Sequence, residues 1–275
     1  MHTLVRSTAT ILAIGALVVA CAKVPYTNRL QYNLIPNSLM RGIGASTYTT
    51  MLAGEKIQRQ GEDADILARV GRRISRAAAE PKYDWQFSMI VDDDMVNAWC
   101  LPGGKIAFYT GILPALQNEA GMAFVMGHEV AHATANHGSE RMSQQLTLLG
   151  GLVGLEVYMA NNTTVKPKDR AVILGALGVG ATVGVVLPFS RMHESEADVI
   201  GMMYMAEAGY PPAESIKVWD RMEEVAGASG LPAFLSTHPK NDARQENQRE
   251  WLPRARKRYQ RNALERDTLE ELWKM

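Results

Sequence analysis

Residues 128–132 read His-Glu-Val-Ala-His, and this short run constrains the fold more than any other. Two histidines four positions apart face the same way only on a helix. There their Cβ atoms stand about 5–6 Å apart, so both imidazoles can reach one metal ion. His128 and His132 therefore demand a helix and are read as zinc ligands. Glu129 sits on the flank of the same face, where its carboxylate can take a proton from water acidified by the metal. Ala120, Met122, Phe124, Val125, Met126 and Val130 give this helix enough apolar surface to be buried, as a rigid site requires. Alone, the run also fits a helix with two surface histidines and a glutamate.

A third ligand decides between these readings. The metzincin extension needs a glycine at 135 and a histidine at 138. The residues there are Ala135 and Gly138, and His137 is one place out of register, as a packing residue or a partner to a ligand. Further on, Glu194, Ala197, Asp198 and Gly201 share one helical face, whose small residues would let another helix approach closely. The Glu194 carboxylate can complete the zinc site. Asp198, one turn on, can accept a hydrogen bond from the free N–H of a liganding imidazole.

The rest of the chain supplies a scaffold. Helical periodicity covers Ser38–Ala79 with a break at Gly61, then Leu113 to about Leu149, and again from Glu194 onward. Between them Trp85–Val91 alternates like a strand, Ile106–Tyr109 reads as another, and Pro102-Gly103-Gly104 turns the chain. The expected fold class is α+β, predominantly helical, with a small sheet beside the motif helix. Backbone from Asn97 through Leu101 to Gly103 and Gly104 is either a rail on which an extended substrate pairs, or an ordinary hairpin. The 17 residues Ala171–Leu187 hold four glycines and are read as a buried or membrane-facing helix rather than a span. With 29 basic and 29 acidic side chains, nothing global points to nucleic acid.

At the start, an apolar run Ile11–Ala20 follows Arg6 and has signal-peptide dimensions. Val18-Val19-Ala20-Cys21 resembles a lipobox, which makes Cys21 the lipidated residue; an ordinary secretory signal is the alternative. A lipidated Cys21 leaves Cys100 without an intramolecular partner. The expected organisation is a signal peptide (1–20), a lipidated tether (21–37), a metallopeptidase domain (38–252) and a charged C-terminal helix (253–275). Ala22 in place of aspartate favours the outer membrane, so the expected location is the periplasmic side of a bacterial membrane.

Several runs together resemble the gluzincin peptidases that include HtpX and the CAAX prenyl endopeptidases, most closely periplasmic lipoprotein members such as BepA and LoiP. These runs are Val24–Arg29, Asn97–Ile106, His128–Arg141, Leu187–Arg191 leading into Glu194, Ser236–Pro239 and Arg244. Trp99-Cys100 and His193 depart from the usual pattern without touching a ligand position. The resemblance implies a zincin-like domain, one zinc ion per chain and Glu194 as third ligand. It also implies unfolded or misassembled envelope proteins as substrates, with outer-membrane assembly machinery as a partner. His238, in a Pro-bounded loop, is either structural or functional, stabilising an oxyanion or gating the open metal position. The competing function is a chaperone-like assembly factor with little or latent proteolysis.

Overall fold

The computed structural model describes residues 23–162, 165–182, 187–229, 233–239 and 242–273. Cys21 and the signal segment lie outside them. The chain divides into two compact units, one of residues 38–135 with 194–275, the other of Asn136–His193 with the residues up to Asn37.

The larger unit is built around a sheet. Strands β1 (Ile57–Gln58), β2 (Gln86–Ile90), β3 (Ala98–Leu101) and β4 (Lys105–Tyr109) lie in the order β1-β2-β4-β3. β2 and β4 pair in parallel, and the outer pairs are antiparallel. Ile106, Ala107 and Phe108 of β4 are fully buried, which is why this strand reads as an apolar run instead of an alternation. Gly103 and Gly104 join β3 to β4 at φ 93° and 81°, a conformation other residues adopt only with strain. A short strand at β1, formed only by pairing with β2, was not expected.

Helix α1 (Asn37–Leu52) precedes this sheet, and α2 (Glu62–Ala78) follows β1. α2 starts at Gly61, carries Glu62, Asp63 and Asp65 in its first turn, where the helix dipole favours them, and buries Leu67, Val70 and Ile74. The helix expected from Leu113 to Leu149 is three helices: α3 (Leu113–Leu116), α4 (Glu119–Thr134) and α5 (His137–Asn162). Gln117 and Asn136, at φ 61° and 52°, end the first two in left-handed turns. After α7 (Leu187–Glu207) come α8 (Glu214–Ser229), α9 (Ala233–Thr237) and α10 (Asp242–Trp273), which runs through Pro253 instead of breaking there.

In the smaller unit, α5 and α6 (Pro167–Ala181) form a helical hairpin. No residue of α6 is buried, so the buried alternative for Ala171–Leu187 fails over its described part. None of the described helices is long and apolar enough to cross a membrane. The base of the hairpin is held by Glu140. Its carboxylate accepts from Arg29 Nη1 and Nη2 at 2.9 and 2.8 Å, His193 Nε2 at 3.0 Å and the Tyr32 N–H at 3.2 Å. Burial works against that charge, but the bonds from His193 and Arg29 outweigh it and hold the carboxyl down to about 2. His137 stacks on His193 at 4.3 Å between ring centres.

Candidate metal centre

Asn118 caps α4 by accepting the Gly121 N–H at 2.9 Å, and burial of 13 of its 16 residues fixes the helix. Halfway along, Gly127 meets Gly201 of α7 so closely that a Cβ on Gly127 would lie 2.7 Å from the Gly201 carbonyl oxygen. One on Gly201 would lie 2.6 Å from the His128 nitrogen. This contact between backbones sets Glu194 and Asp198 opposite His128 and His132, as the small-residue face predicted.

Four side chains then converge. One ligand atom from each of His128, His132, Glu194 and His238 lies within 4.8 Å of all the others. His128 Nε2 is 3.1 Å from His132 Nε2, 3.2 Å from His238 Nδ1 and 3.4 Å from Glu194 Oε2. His132 Nε2 lies 3.4 Å from Glu194 Oε1, and His238 Nδ1 lies 2.9 Å from Glu194 Oε2. Ligands at roughly 2.0–2.1 Å from a tetrahedral ion are spaced about 3.3 Å apart, so the set fits zinc. Three imidazoles and a carboxylate are also zinc's preferred donors.

Behind the ligands lies a second row. His128 Nδ1 donates to Asp198 Oδ1 at 2.9 Å. Arg244 grips the same carboxylate with Nε at 2.7 Å and Nη2 at 2.8 Å, and its Nη1 reaches the Pro239 carbonyl at 2.9 Å. Its guanidinium lies 4.3 Å above the Trp219 ring. Asp198 has no exposed surface; burial raises its carboxyl's affinity for a proton, yet Arg244 and His128 hold it below the usual range. Arg244 appeared in the sequence only as part of a resemblance. Its clamping role had no local signal, because its partner lies 46 residues away.

Glu129 is buried beside these groups, and burial pushes its carboxyl above the ordinary range. The Cys100 backbone N–H, on edge strand β3, bonds to it. Its Oε1 lies 3.4 Å from His238 Nε2, yet no described group gives that oxygen a hydrogen bond. A buried oxygen so left suits a base awaiting a proton. His238 thus stands between the ligand cluster and Glu129, closer to a ligand than to an oxyanion donor. Gly103 and Gly104 are accounted for by the turn itself, while Asn97 immediately precedes the edge strand and Leu101 is its last residue.

The profile of peptidase family M48 matches residues 61–252. The chain is similar to the mitochondrial metalloendopeptidase OMA1 of Schizosaccharomyces pombe, at 30% identity over 92% of this chain and 71% of that one. It is likewise similar to OMA1 of Saccharomyces cerevisiae, at 32% over 87% of this chain and 71% of that one. The beta-barrel assembly-enhancing protease of Escherichia coli matches at 27% over 64% of this chain and 36% of its own length. The expected closeness to periplasmic lipoproteins is therefore met only in part. The expected bacterial outer-membrane location is overturned, since relatives named as mitochondrial match across fungi, plants and animals. The leader and lipobox residues behind that expectation offer no structural support, because they fall outside the described residues. The matched profile spans most of the chain and takes in the whole ligand cluster, so the chain belongs to peptidase family M48, whose members are zinc-dependent metallopeptidases.

Proposed function

We propose that the chain is an endopeptidase that cleaves unfolded or misassembled polypeptides, with His128, His132 and Glu194 holding zinc and Glu129 as general base. The observation that carries this reading is the convergence of the ligand cluster beside a buried carboxylate with an unsatisfied oxygen. Zinc bound there supplies a Lewis acid that polarises the scissile carbonyl and acidifies water. Glu129 takes the proton of the attacking water and passes it to the leaving amine. Asp198, held by Arg244, keeps the His128 ring oriented so that Nε2 points into the cluster. The outer edge of β3, from Asn97 to Leu101, accepts an extended polypeptide by backbone pairing next to the base. Similarity to OMA1 supports a mitochondrial setting, and the name of the E. coli relative supports a part in membrane-protein assembly or quality control.

A second reading, a client-holding protein with latent proteolysis, rests on His238. As a fourth protein ligand it fills the position that a catalytic zinc site leaves for water. Cleavage of unfolded casein with and without chelator, alongside zinc analysis, tests both. If the Glu129→Gln protein keeps its zinc and still cuts at the wild-type rate, the base assignment is wrong. If wild type binds zinc and casein but cuts only after His238→Ala, the latent reading stands.

A further inference from the structure

We propose that the α5–α6 hairpin lies in one leaflet of a lipid bilayer, its aliphatic flanks in the acyl region and its lysine-bearing turn among the headgroups. Sixteen large apolar side chains are exposed among the described residues. Eleven of them fall between Met142 and Leu187, and Leu30 and Leu34 bring the smaller unit's share to thirteen. Only three belong to the larger unit, so this exposure is local and not a general property of the chain. On α5, Leu146, Leu149, Val153 and Val157 form a stripe at helical spacing. On α6, Val172 (71% exposed) and Leu177 lie on different sides of the helix. A protein partner covers a groove or one stripe, whereas acyl chains wet an apolar hairpin on every exposed side.

Charge and length agree with a lipid surface. From Met142 to Ala181 the ionic side chains are Glu156, Lys166, Lys168, Asp169 and Arg170. Glu156 lies 3.5 Å from Arg170, and of the remaining Lys166, Lys168 and Asp169 the acid offsets one base, which leaves a surplus of one positive charge beside the turn. Lysines at the edge of an apolar segment meet lipid phosphates and reach outward to them. At 1.5 Å per residue, Leu146–Val157 extends about 17 Å, against roughly 30 Å of hydrocarbon, so it can enter one leaflet but not cross both. The apolar run Ile11–Ala20 stands just before Lys23 in sequence, and Arg29 fastens that same segment to Glu140 at the base of the hairpin.

The full-length chain is mixed with phosphatidylcholine–phosphatidylglycerol vesicles that carry an acyl-linked photoactivatable carbene precursor. Labelled peptides are then mapped by mass spectrometry. Label on peptides within 146–181, and none on those of α2 and α4, is expected. A Val153→Glu, Val172→Glu, Leu177→Glu variant changes only unburied positions. It is expected to keep the wild-type Tm without vesicles and to lose hairpin labelling by about tenfold or more. Label confined to residues 1–22 overturns the proposal. So does self-association in vesicle-free buffer that the variant abolishes, with no lipid label on the hairpin, because a second copy is then the occupant. Should the variant unfold, the wild-type labelling map decides alone.

Discussion

α4 and α6 are helices of 16 and 15 residues, both rich in alanine, glycine and aliphatic side chains, and their surroundings are opposite. Thirteen residues of α4 are buried; of α6, none is. Where α4 has glycine at 127, another backbone presses on it, while Gly175 and Gly180 of α6 face open space. Similar composition therefore carries two meanings. On α4 the small residues admit a neighbour that completes a cluster of polar groups, and the apolar ones exclude water from it. On α6 the same kinds of residue leave an aliphatic surface without a protein cover among the described residues.

Each side of the contrast is open to experiment, beginning with the polar group that the buried helix protects. Glu129→Gln is expected to lower casein hydrolysis by about 10²–10⁴-fold while zinc content stays at one per chain; a smaller loss would mean another base. Asp198→Asn should weaken zinc binding by roughly 10–100-fold, measured by competition with a chromogenic chelator. Gly127→Ala forces the two backbones apart, and a loss of about 1–3 kcal/mol in urea unfolding is expected, together with weaker zinc retention. Acid stability tests the base of the hairpin. The Glu140 carboxyl is held at about 2, below its unfolded value, so its contribution is complete above pH 4.5 and fades as pH falls from there toward 2. Wild type should accordingly lose its advantage over Glu140→Gln in thermal melts across that window. Smallest of all, Gly175→Ala on open α6 should stabilise by about 0.5–1 kcal/mol, the opposite sign to the same change at Gly127.

Much of the centre was legible because helical periodicity is a local rule. His128 and His132 at four-residue spacing, and Glu194, Asp198 and Gly201 on one face, needed only helices at their positions. A small sheet was legible in the alternation at Trp85–Val91 and the glycine pair at 103–104, but the parallel pairing of β2 with β4, which makes it mixed, was not. What stayed hidden depends on groups distant in sequence. The clamp of Arg244 on Asp198, the seat of His238 among the ligands and the Arg29–Glu140–His193 knot each join residues between 44 and 111 positions apart. β1 escaped notice since two residues carry no period. The break at Asn136 had a readable sign, an asparagine that tolerates the left-handed region, but the apolar pattern continues past it. Compartment was the reading that failed, because it leaned on a cleavage-site pattern rather than on the domain.

Arg244 holds the carboxylate behind His128 with two nitrogens and the carbonyl beside His238 with the third. A polypeptide that displaced His238 would therefore take one group out of the candidate metal cluster and tug the brace behind His128 in the same movement. Thermodynamic linkage makes the effect mutual: by whatever factor an incoming chain loosens zinc, zinc weakens the hold on that chain.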